Sequence, residues 1–588
     1  MILYTYFKKN YFFFNYFKKL LFIVSKKITN IFSIVVISII SGVIDLIGFS
    51  IILPFLTIII NPENSEILKD NYLFDFLNFS SKTDNFFFIL AISLILVFFF
   101  KAVIAIISRV VIVSFAYKQL AQLQAKLMSK YHQMNYLDYL ENSNSYYVRN
   151  IRDLSKNCID ALESSLRIIA ETLVTIIILI YLANLNFIAL FLLSLIIFSL
   201  AIFYNHIFKP MSVNFGKKIA ESYKKIFQLI NESIYGFKEI KTNNKKQFFI
   251  KQVEEEANDI YTNTIKNYLI IISPRYIFEL SIVIFVVFFI YISLNYLMIG
   301  NNIIPIIGVF AMACVRLMPS MTSILNDFTQ LNFSKFAIDT CYNDIKKIDK
   351  VQLNQKTPYT SLPFKKIIFK NVSFKYPNSK SEILHKLNFE INKNDHIAII
   401  GPSGSGKTTL IDLFLGLLNP TDGEIFINDE TSKNKSILSN LSAYLPQESL
   451  VLEDTIKRNI SLETNENETD LDLINSSLEK ANLKTYIESL PEGIETKIGE
   501  NSLRLSGGQK QRLAIARNFY LKKEIIVMDE ATSSLDEENE IHIIDSLKNL
   551  KGKKTVILIT HKLKLLKSFE KVYSLKNGNL HKIEDENY

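Results

Sequence analysis

Apolar residues dominate the first 330 positions of this 588-residue chain and then give way to short apolar stretches between polar turns. Six runs in the first part, at about 31–61, 86–115, 159–183, 187–208, 268–294 and 303–325, are each long enough to cross a bilayer as a helix, which takes about 20 residues. The connections 184–186 and 295–302 are short and predict tight turns on one side of the membrane. Segments 116–158 and 209–267 are long, polar and helix-compatible, and predict helical extensions on the other side. The pattern therefore predicts an all-α transmembrane domain over 31–330, with six spans. After a linker at 331–363, the runs HIAII (396–400) and IIVM (525–528) suit short buried parallel strands between helices, as in an α/β domain over 364–588.

Charge orients the first part. Residues 1–30 hold six Lys and no acid, whereas the loop 61–85 holds five acids and two Lys. Basic flanks stay in the cytoplasm, so the N-terminus, the long extensions and the α/β domain are expected there, beneath a bacterial inner membrane. The basic, aromatic N-terminal stretch has no small-residue cleavage site, and it is expected to form an interfacial elbow helix within 1–30. Composition agrees with a membrane protein, being 49% hydrophobic with 45 Phe, 28 Tyr and no Trp. The net charge of +9 includes the six N-terminal lysines. Anionic lipid is their expected partner, and no nucleic acid is expected. Cys158, Cys314 and Cys341 form neither a disulfide framework nor a metal-ligand pattern.

The α/β part carries the chemistry. The segment Gly401, Pro402, Ser403, Gly404, Ser405, Gly406, Lys407, Thr408, Thr409 fits the phosphate-loop pattern, and it follows an apolar strand and precedes the helical run LIDLFLGLL. The glycines free the backbone to turn its N–H groups toward phosphate oxygens, and the helix N-terminus adds partial positive charge. Lys407 is expected to reach the β- and γ-phosphates of ATP, and Thr408 to ligate Mg²⁺. Asp529 and Glu530 end a second buried run, where open α/β sheets place ligands. Asp529 is the expected partner of Mg²⁺, and Glu530 the group that polarises the attacking water.

LSGGQ, at Leu505–Gln509, resembles the signature of ATP-binding cassette (ABC) proteins, and the family's other elements follow in order over 364–588. The resemblance implies an adenine-stacking role for Tyr376, a Mg²⁺-contacting Q-loop role for Gln447, a D-loop at Ser534–Asp536 and a γ-phosphate switch role for His561. It implies that Ser506, Gly507, Gly508 and Gln509 contact ATP held by a second subunit. One phosphate loop and one signature per chain then imply a homodimer with two equivalent ATP sites, in the domain-swapped exporter architecture. The breaks within 137–151 and 231–249, the second containing Gly236, resemble the coupling helices of such exporters.

Charges inside the apolar runs mark function by default. They are Asp45, Lys101, Arg109, Arg275, Glu279 and Arg316. Arg109 is placed to snorkel, and Arg275 and Glu279 stand one turn apart, close enough to neutralise each other. Lys101, Arg275 and Arg316 together would line a cationic cavity suited to a phosphate or pyrophosphate headgroup. The stretches SPRYIFEL and VRLMPSMTSI, with LIGFSIILPFL, resemble the polysaccharide-exporter branch, which includes the flippases of lipid-linked oligosaccharides in bacterial protein glycosylation. That resemblance implies ATP-driven flipping of a polyprenyl-pyrophosphate oligosaccharide, an anionic lipid-linked glycan, with YLFDFLNF (72–79) as an external helix. A further arginine of that branch, two turns past Arg316, is Ser323 here. The alternatives are a multidrug or lipid A type exporter, and an ATP-gated regulator without transport.

Overall fold

A computed structural model describes residues 15–24, 28–60, 86–292, 303–353, 364–530 and 550–583, with 378, 380, 429, 432–437, 439, 466–467, 500–502 and 504 excepted. The chain divides into two compact units, residues 1–134 with 139–353, and residues 135–138 with 354–588. The segments 72–79 and Ser534–Asp536 lie outside the described residues.

The first unit is helical. Its long members are α1 (Ile28–Ile60), α2 (Phe86–His132), α5 (Ser155–Leu185), α6 (Phe187–Tyr235), α8 (Lys246–Ile292) and α9 (Ile303–Phe333). Short helices α3 (Tyr136–Leu140) and α4 (Asn144–Arg149) fall between α2 and α5, and α7 (Phe237–Thr242) falls between α6 and α8. Among the described residues, four helical stretches are long and apolar enough to cross a membrane: 91–132, 144–185, 246–292 and 308–333. Their outward faces are apolar; Phe88, Ile95, Phe99 and Ile106 of α2 are each more than 60% exposed. The turn between α5 and α6 is Asn186 alone, whose extended backbone ends one helix while its side chain accepts a 3.0 Å bond from Ala189 N to start the next.

Residues 335–353, expected to be linker, instead form a helix, α10 (Lys335–Leu353), within the first unit. The reason is helical spacing: Ala337, Ile338, Cys341, Ile345 and Ile348 face one side and pack with Tyr16, Leu20 and Ile23 of the N-terminal helix and with Leu123, Leu127 and Cys158. Three acids on α10 fix its azimuth. Asp339 pairs with Lys19 at 2.6 Å, Asp349 pairs with Lys130 at 2.9 Å, and Asp344 accepts from Tyr131 at 2.7 Å, from Tyr146 at 3.1 Å and from Asn150 at 3.2 Å. Burial pushes the Asp344 carboxyl above its ordinary value, and these three donors oppose that shift.

The second unit has a four-stranded antiparallel sheet and a six-stranded sheet. The first has order β2-β1-β4-β5, from β1 (Lys366–Phe374), β2 (Leu384–Asn392), β4 (Asp422–Ile427) and β5 (Glu430–Thr431). The second has order β12-β11-β3-β10-β9-β6, from β3 (His396–Ile400), β6 (Ser442–Leu445), β9 (Ile525–Asp529), β10 (Thr555–Ile559), β11 (Lys571–Lys576) and β12 (Asn579–Ile583). Its strands pair in parallel except for β12 at the edge. The strands β3, β9 and β10 are buried along nearly their whole length, as parallel strands covered on both faces require. Tyr136 and Leu137 of α3 pack on this unit's core.

Close approach limits one helix pair. A Cβ added at Gly216 on α6 would stand 2.3 Å from the carbonyl oxygen of Phe333, at the end of α9. Gly216→Ala should force the two helices apart, an overpacking change that costs about 1–3 kcal/mol. Thermal unfolding of the purified full chain should show the midpoint falling by several degrees, and an unchanged midpoint would contradict the packing described.

Candidate active site

Four parallel strands deliver the site. In spatial order β3, β10, β9 and β6 lie side by side, so the residues just past their carboxyl ends meet at one edge although they are far apart in sequence. The phosphate loop follows β3, His561 follows β10, Asp529 and Glu530 end β9, and Gln447 follows β6.

The loop leads into α11 (Lys407–Phe414), with Gly406 as its left-handed N-cap at φ +101°. At Gly401 an added Cβ would fall 2.3 Å from the Leu575 carbonyl oxygen, so the loop fits against β11 only without a side chain. The Lys407 ammonium donates to the carbonyls of Gly401 at 2.8 Å and Pro402 at 2.9 Å, which holds it over the loop. Thr408 is exposed and Thr409 buried, the latter 3.4 Å from the Tyr376 hydroxyl. Tyr376 packs edge-on against Phe374, close to the first turn of α11.

Two expected residues converge on a third, the carboxylate of Glu530. His561 Nε2 lies 2.8 Å from Glu530 Oε1, and Gln447 Nε2 donates to Glu530 Oε2 at 3.4 Å. Glu530 takes a left-handed backbone conformation, φ +47°, and its N–H donates to the Ile559 carbonyl at 3.0 Å, which pins it to the end of β10. Such strain at a strand end is a recurrent feature of functional positions. Burial raises the pKa of Asp529, Glu530 adds to the rise, and a hydrogen bond from Tyr444 and the charge of Lys407 oppose it.

Two residues of this edge were not among those expected. Tyr444 donates to Asp529 Oδ2 at 3.3 Å, and its phenol is pushed well above the ordinary range, first by burial and then by that carboxylate. Asp412, buried on α11, is raised to about 6 by burial and then by Asp529. The available signal was positional: Tyr444 lies three residues before Gln447, and Asp412 lies one helical turn past Thr408.

The signature forms its own structure. Ser506 caps α15 (Gly507–Tyr520; α12, α13 and α14 are Ile456–Ser461, Leu471–Lys480 and Lys484–Glu488). Its Oγ accepts from Gln509 N at 3.2 Å, while its own N–H donates to Gln509 Oε1 at 2.8 Å. The S-x-x-Q within the signature is thus a capping box, and it leaves Ser506 and Gly507 exposed at a helix N-terminus. Asp536 lies outside the described residues.

In the helical unit, of the expected cavity cations Lys101, Arg275 and Arg316, the structure brings Lys101 and Arg316 to one acid and leaves Arg275 apart. The fully buried carboxylate of Asp45 pairs with Lys101 at 2.6 Å and with Arg316 at 3.0 Å. Arg316 also donates to Ser320 Oγ at 2.6 Å, Ser320 donates to Glu171 at 2.7 Å, and Glu171 lies 3.8 Å from Arg316. Two acids therefore balance two cations across α1, α2, α5 and α9, which is how charge is tolerated in an apolar setting. Arg275 stands apart on α8, exposed and 3.9 Å from Glu279. Glu171 was missed although Arg167 stands one helical turn before it in the same run, because its cation partner Arg316 lies far away in sequence. Arg167, also missed, forms a second clamp from α5 to α9, bonding Asp327 through Nε at 2.9 Å and through Nη2, and pairing with Glu163 at 2.5 Å.

The carboxyl of Asp412 titrates near 6 in the folded chain, above its ordinary 3.8. Ionisation therefore opposes folding; the cost is absent below the unfolded value and complete above the folded one. At 1.36 kcal/mol for each pH unit between them, that is about 3 kcal/mol. Asp412→Asn should raise stability toward neutral pH by up to this order, and the gain should shrink as pH falls through 6 and vanish below 4. Thermal unfolding of both proteins across that range measures it, and a pH-independent difference would contradict the burial of this carboxylate beside Asp529.

Comparison with known proteins agrees with this geometry. The ABC transporter family profile matches residues 384–533. The ATP-dependent lipid A-core flippase 2 of Colwellia psychrerythraea is 32% identical over 308 residues, 48% of this chain and 53% of that protein. The ATP-dependent lipid A-core flippase of Desulfotalea psychrophila is 28% identical over 405 residues, 64% of this chain and 65% of that one. The multidrug resistance ABC transporter ATP-binding and permease protein of Lactococcus lactis is 27% identical over 382 residues, 63% of each. The chain thus spans from about half to just under two thirds of the length of these relatives. A solved bacterial Atm1-family ABC exporter with ATP bound superposes with a TM-score of 0.74 at 19% identity, covering 94% of this chain and 95% of that one. The chain accordingly has the fold of an ABC exporter, with a helical unit fused to an ABC transporter domain.

Proposed function

We propose that this chain is an ATP-driven exporter of an amphipathic, lipid-like molecule, acting as a homodimer in a bacterial inner membrane with its ATPase domain in the cytoplasm. The observation that carries the ATPase is the convergence of His561 and Gln447 on Glu530, beside a phosphate loop with its lysine in place. In that role Lys407 and the loop N–H groups bind the phosphates, Tyr376 meets the adenine, and Glu530 polarises the attacking water with His561 orienting it. Thr408, Gln447 and Asp529 have the donor chemistry to hold Mg²⁺, which supplies charge neutralisation on the phosphates when bound.

Two features support a second copy. The capped signature helix presents Ser506, Gly507, Gly508 and Gln509 outward, as completion of a partner's ATP site would require. At the far end of α6 and α8, an apolar recess of about 910 Å³ surrounds α7, and Ile234, Tyr235 and Phe237 are each more than 60% exposed. Uncovered apolar surface of this kind marks an interaction site.

For the cargo, the balanced Asp45–Lys101–Arg316–Glu171 network leaves little free cationic charge, which favours an amphipathic or hydrophobic molecule held mainly by apolar contacts over one held by a pyrophosphate. A pyrophosphate would have to displace two carboxylates from the cations it seeks. The relatives named for lipid A-core and multidrug export support the same order. The polyprenyl-pyrophosphate oligosaccharide remains the second reading, resting on Arg275 and on the stretches around Arg275 and Arg316.

Glu530→Gln should abolish ATP turnover, by at least 100-fold, while nucleotide binding persists; retained turnover would remove Glu530 from its role. In proteoliposomes, ATP should drive translocation of a fluorescent lipid A analogue. If only a polyprenyl-pyrophosphate oligosaccharide moves, and neutralising Arg275 and Arg316 stops it, the order of the two readings reverses.

A further inference from the structure

Away from the ATP site and the membrane charges, a cavity of about 300 Å³ lies among the extensions of the helical unit. Its wall includes Arg149, Asp153, Asn157, Tyr223, Thr264 and Asn267. The volume is at the lower end of small-molecule sites, about 300–1,000 Å³. Arg149 is 4% exposed, and its Nε is buried with no hydrogen-bond partner. The rest of its guanidinium makes only long bonds to neutral acceptors, Nη1 to the Ala220 carbonyl at 3.5 Å and Nη2 to Asn150 Oδ1 at 3.3 Å. Its faces lie over the rings of Tyr146 at 5.5 Å and Phe336 at 6.0 Å.

The one carboxylate in this wall is already engaged. Asp153 accepts from Arg152 Nε at 2.7 Å and from Arg152 Nη2 at 3.2 Å. Arg149 is thus a buried cation that hydrogen-bonds no carboxylate among the described residues; Asp153 and Asp344 act on its charge only from a distance. A buried charge without a hydrogen-bonded counterion is costly, and arginine does not relieve the cost by losing its proton. The backbone beside it is unusual too: residues Asn150–Leu154 form a π-helix, a geometry concentrated at functional sites. Asn157, Thr264 and Asn267 add amide and hydroxyl groups to the wall, the donors an oxyanion needs beyond one guanidinium.

We propose that this cavity is a binding site for a small phosphate-type oxyanion, with Arg149 as its charge partner. The ligand's phosphate comes either from solution or from a lipid phosphomonoester, because the recognition chemistry is the same. Its occupancy would brace the junction of α4, the π-helix, α6, α8 and α10, each of which borders the cavity or its arginine.

The test uses the full chain carrying Lys407→Ala, which removes the lysine of the phosphate loop, in phosphatidylcholine nanodiscs. Equilibrium dialysis against radiolabelled inorganic phosphate should show one bound phosphate per chain that Arg149→Met weakens at least tenfold. Thr264→Ile, which narrows the cavity and leaves the arginine intact, should weaken it comparably, so a folding defect of the first variant alone does not decide the result. Adding phosphatidic acid to the nanodiscs separates the sources: competition assigns the site to a lipid headgroup, and no competition assigns it to soluble phosphate. Absence of binding in the parent, or equal binding in parent and both variants, would overturn the proposal.

Discussion

The carboxylate of Asp45 has no exposed surface, and it holds Lys101 and Arg316 at ion-pair distance from two other helices. Removing any one of the three would leave a charge in an apolar setting, where it costs several kcal/mol. The relative placement of α1, α2 and α9 therefore follows from where this pairing can be made, and Glu171 extends the same constraint to α5. Apolar packing alone would not single out that arrangement, because the outward apolar side chains, such as Ile95, Phe99 and Ile106, make no directional contact. A directional charge pair selects one register among many of similar packing energy. The same principle recurs at Arg167 with Asp327, and at Asp344 with its tyrosines.

At the sheet edge the constraint is used differently. Asp412, Asp529 and Glu530 crowd three carboxylates close to a single lysine, and the rise in the carboxyl pKa of Asp412 and Asp529 shows that the local protein does not compensate them. Crowded acid is unfavourable for folding and favourable for binding a divalent cation that neutralises it. Tyr444 shares part of the load by donating to Asp529, and His561 and Gln447 do so for Glu530. In the membrane the charges are balanced within the chain, while at the ATP site balance is left to what binds.

What was legible in the sequence follows from this contrast. The ATP site is written in local segments, since a loop of glycines before a helix and two acids ending a strand dictate geometry over a few residues. Their meeting depends on strand order, which no local segment dictates and the structure supplies. The Asp45–Arg316 pair is separated by 271 positions, and no local pattern says which acid a membrane cation will meet. Three cations therefore looked like a belt for an anion when two were already engaged. The α10 segment looked like linker because its mean polarity is high, although the spacing of Ala337, Ile338, Cys341 and Ile345 carried the helix.

Arg149 sits between these two cases. Like Arg316 it is a cation removed from water, but no acid among the described residues hydrogen-bonds it; Asp344 acts on it only across Asn150, and Asp153 in its cavity is bound by Arg152. Its aromatic neighbours offset some of the cost, since a guanidinium over a ring gains about 0.5–2 kcal/mol. That falls short of the several kcal/mol a buried, unpaired charge carries. The buried charge, the open volume beside it and the π-helix that shapes the wall have one economical explanation, an anion that completes the pairing from outside the chain.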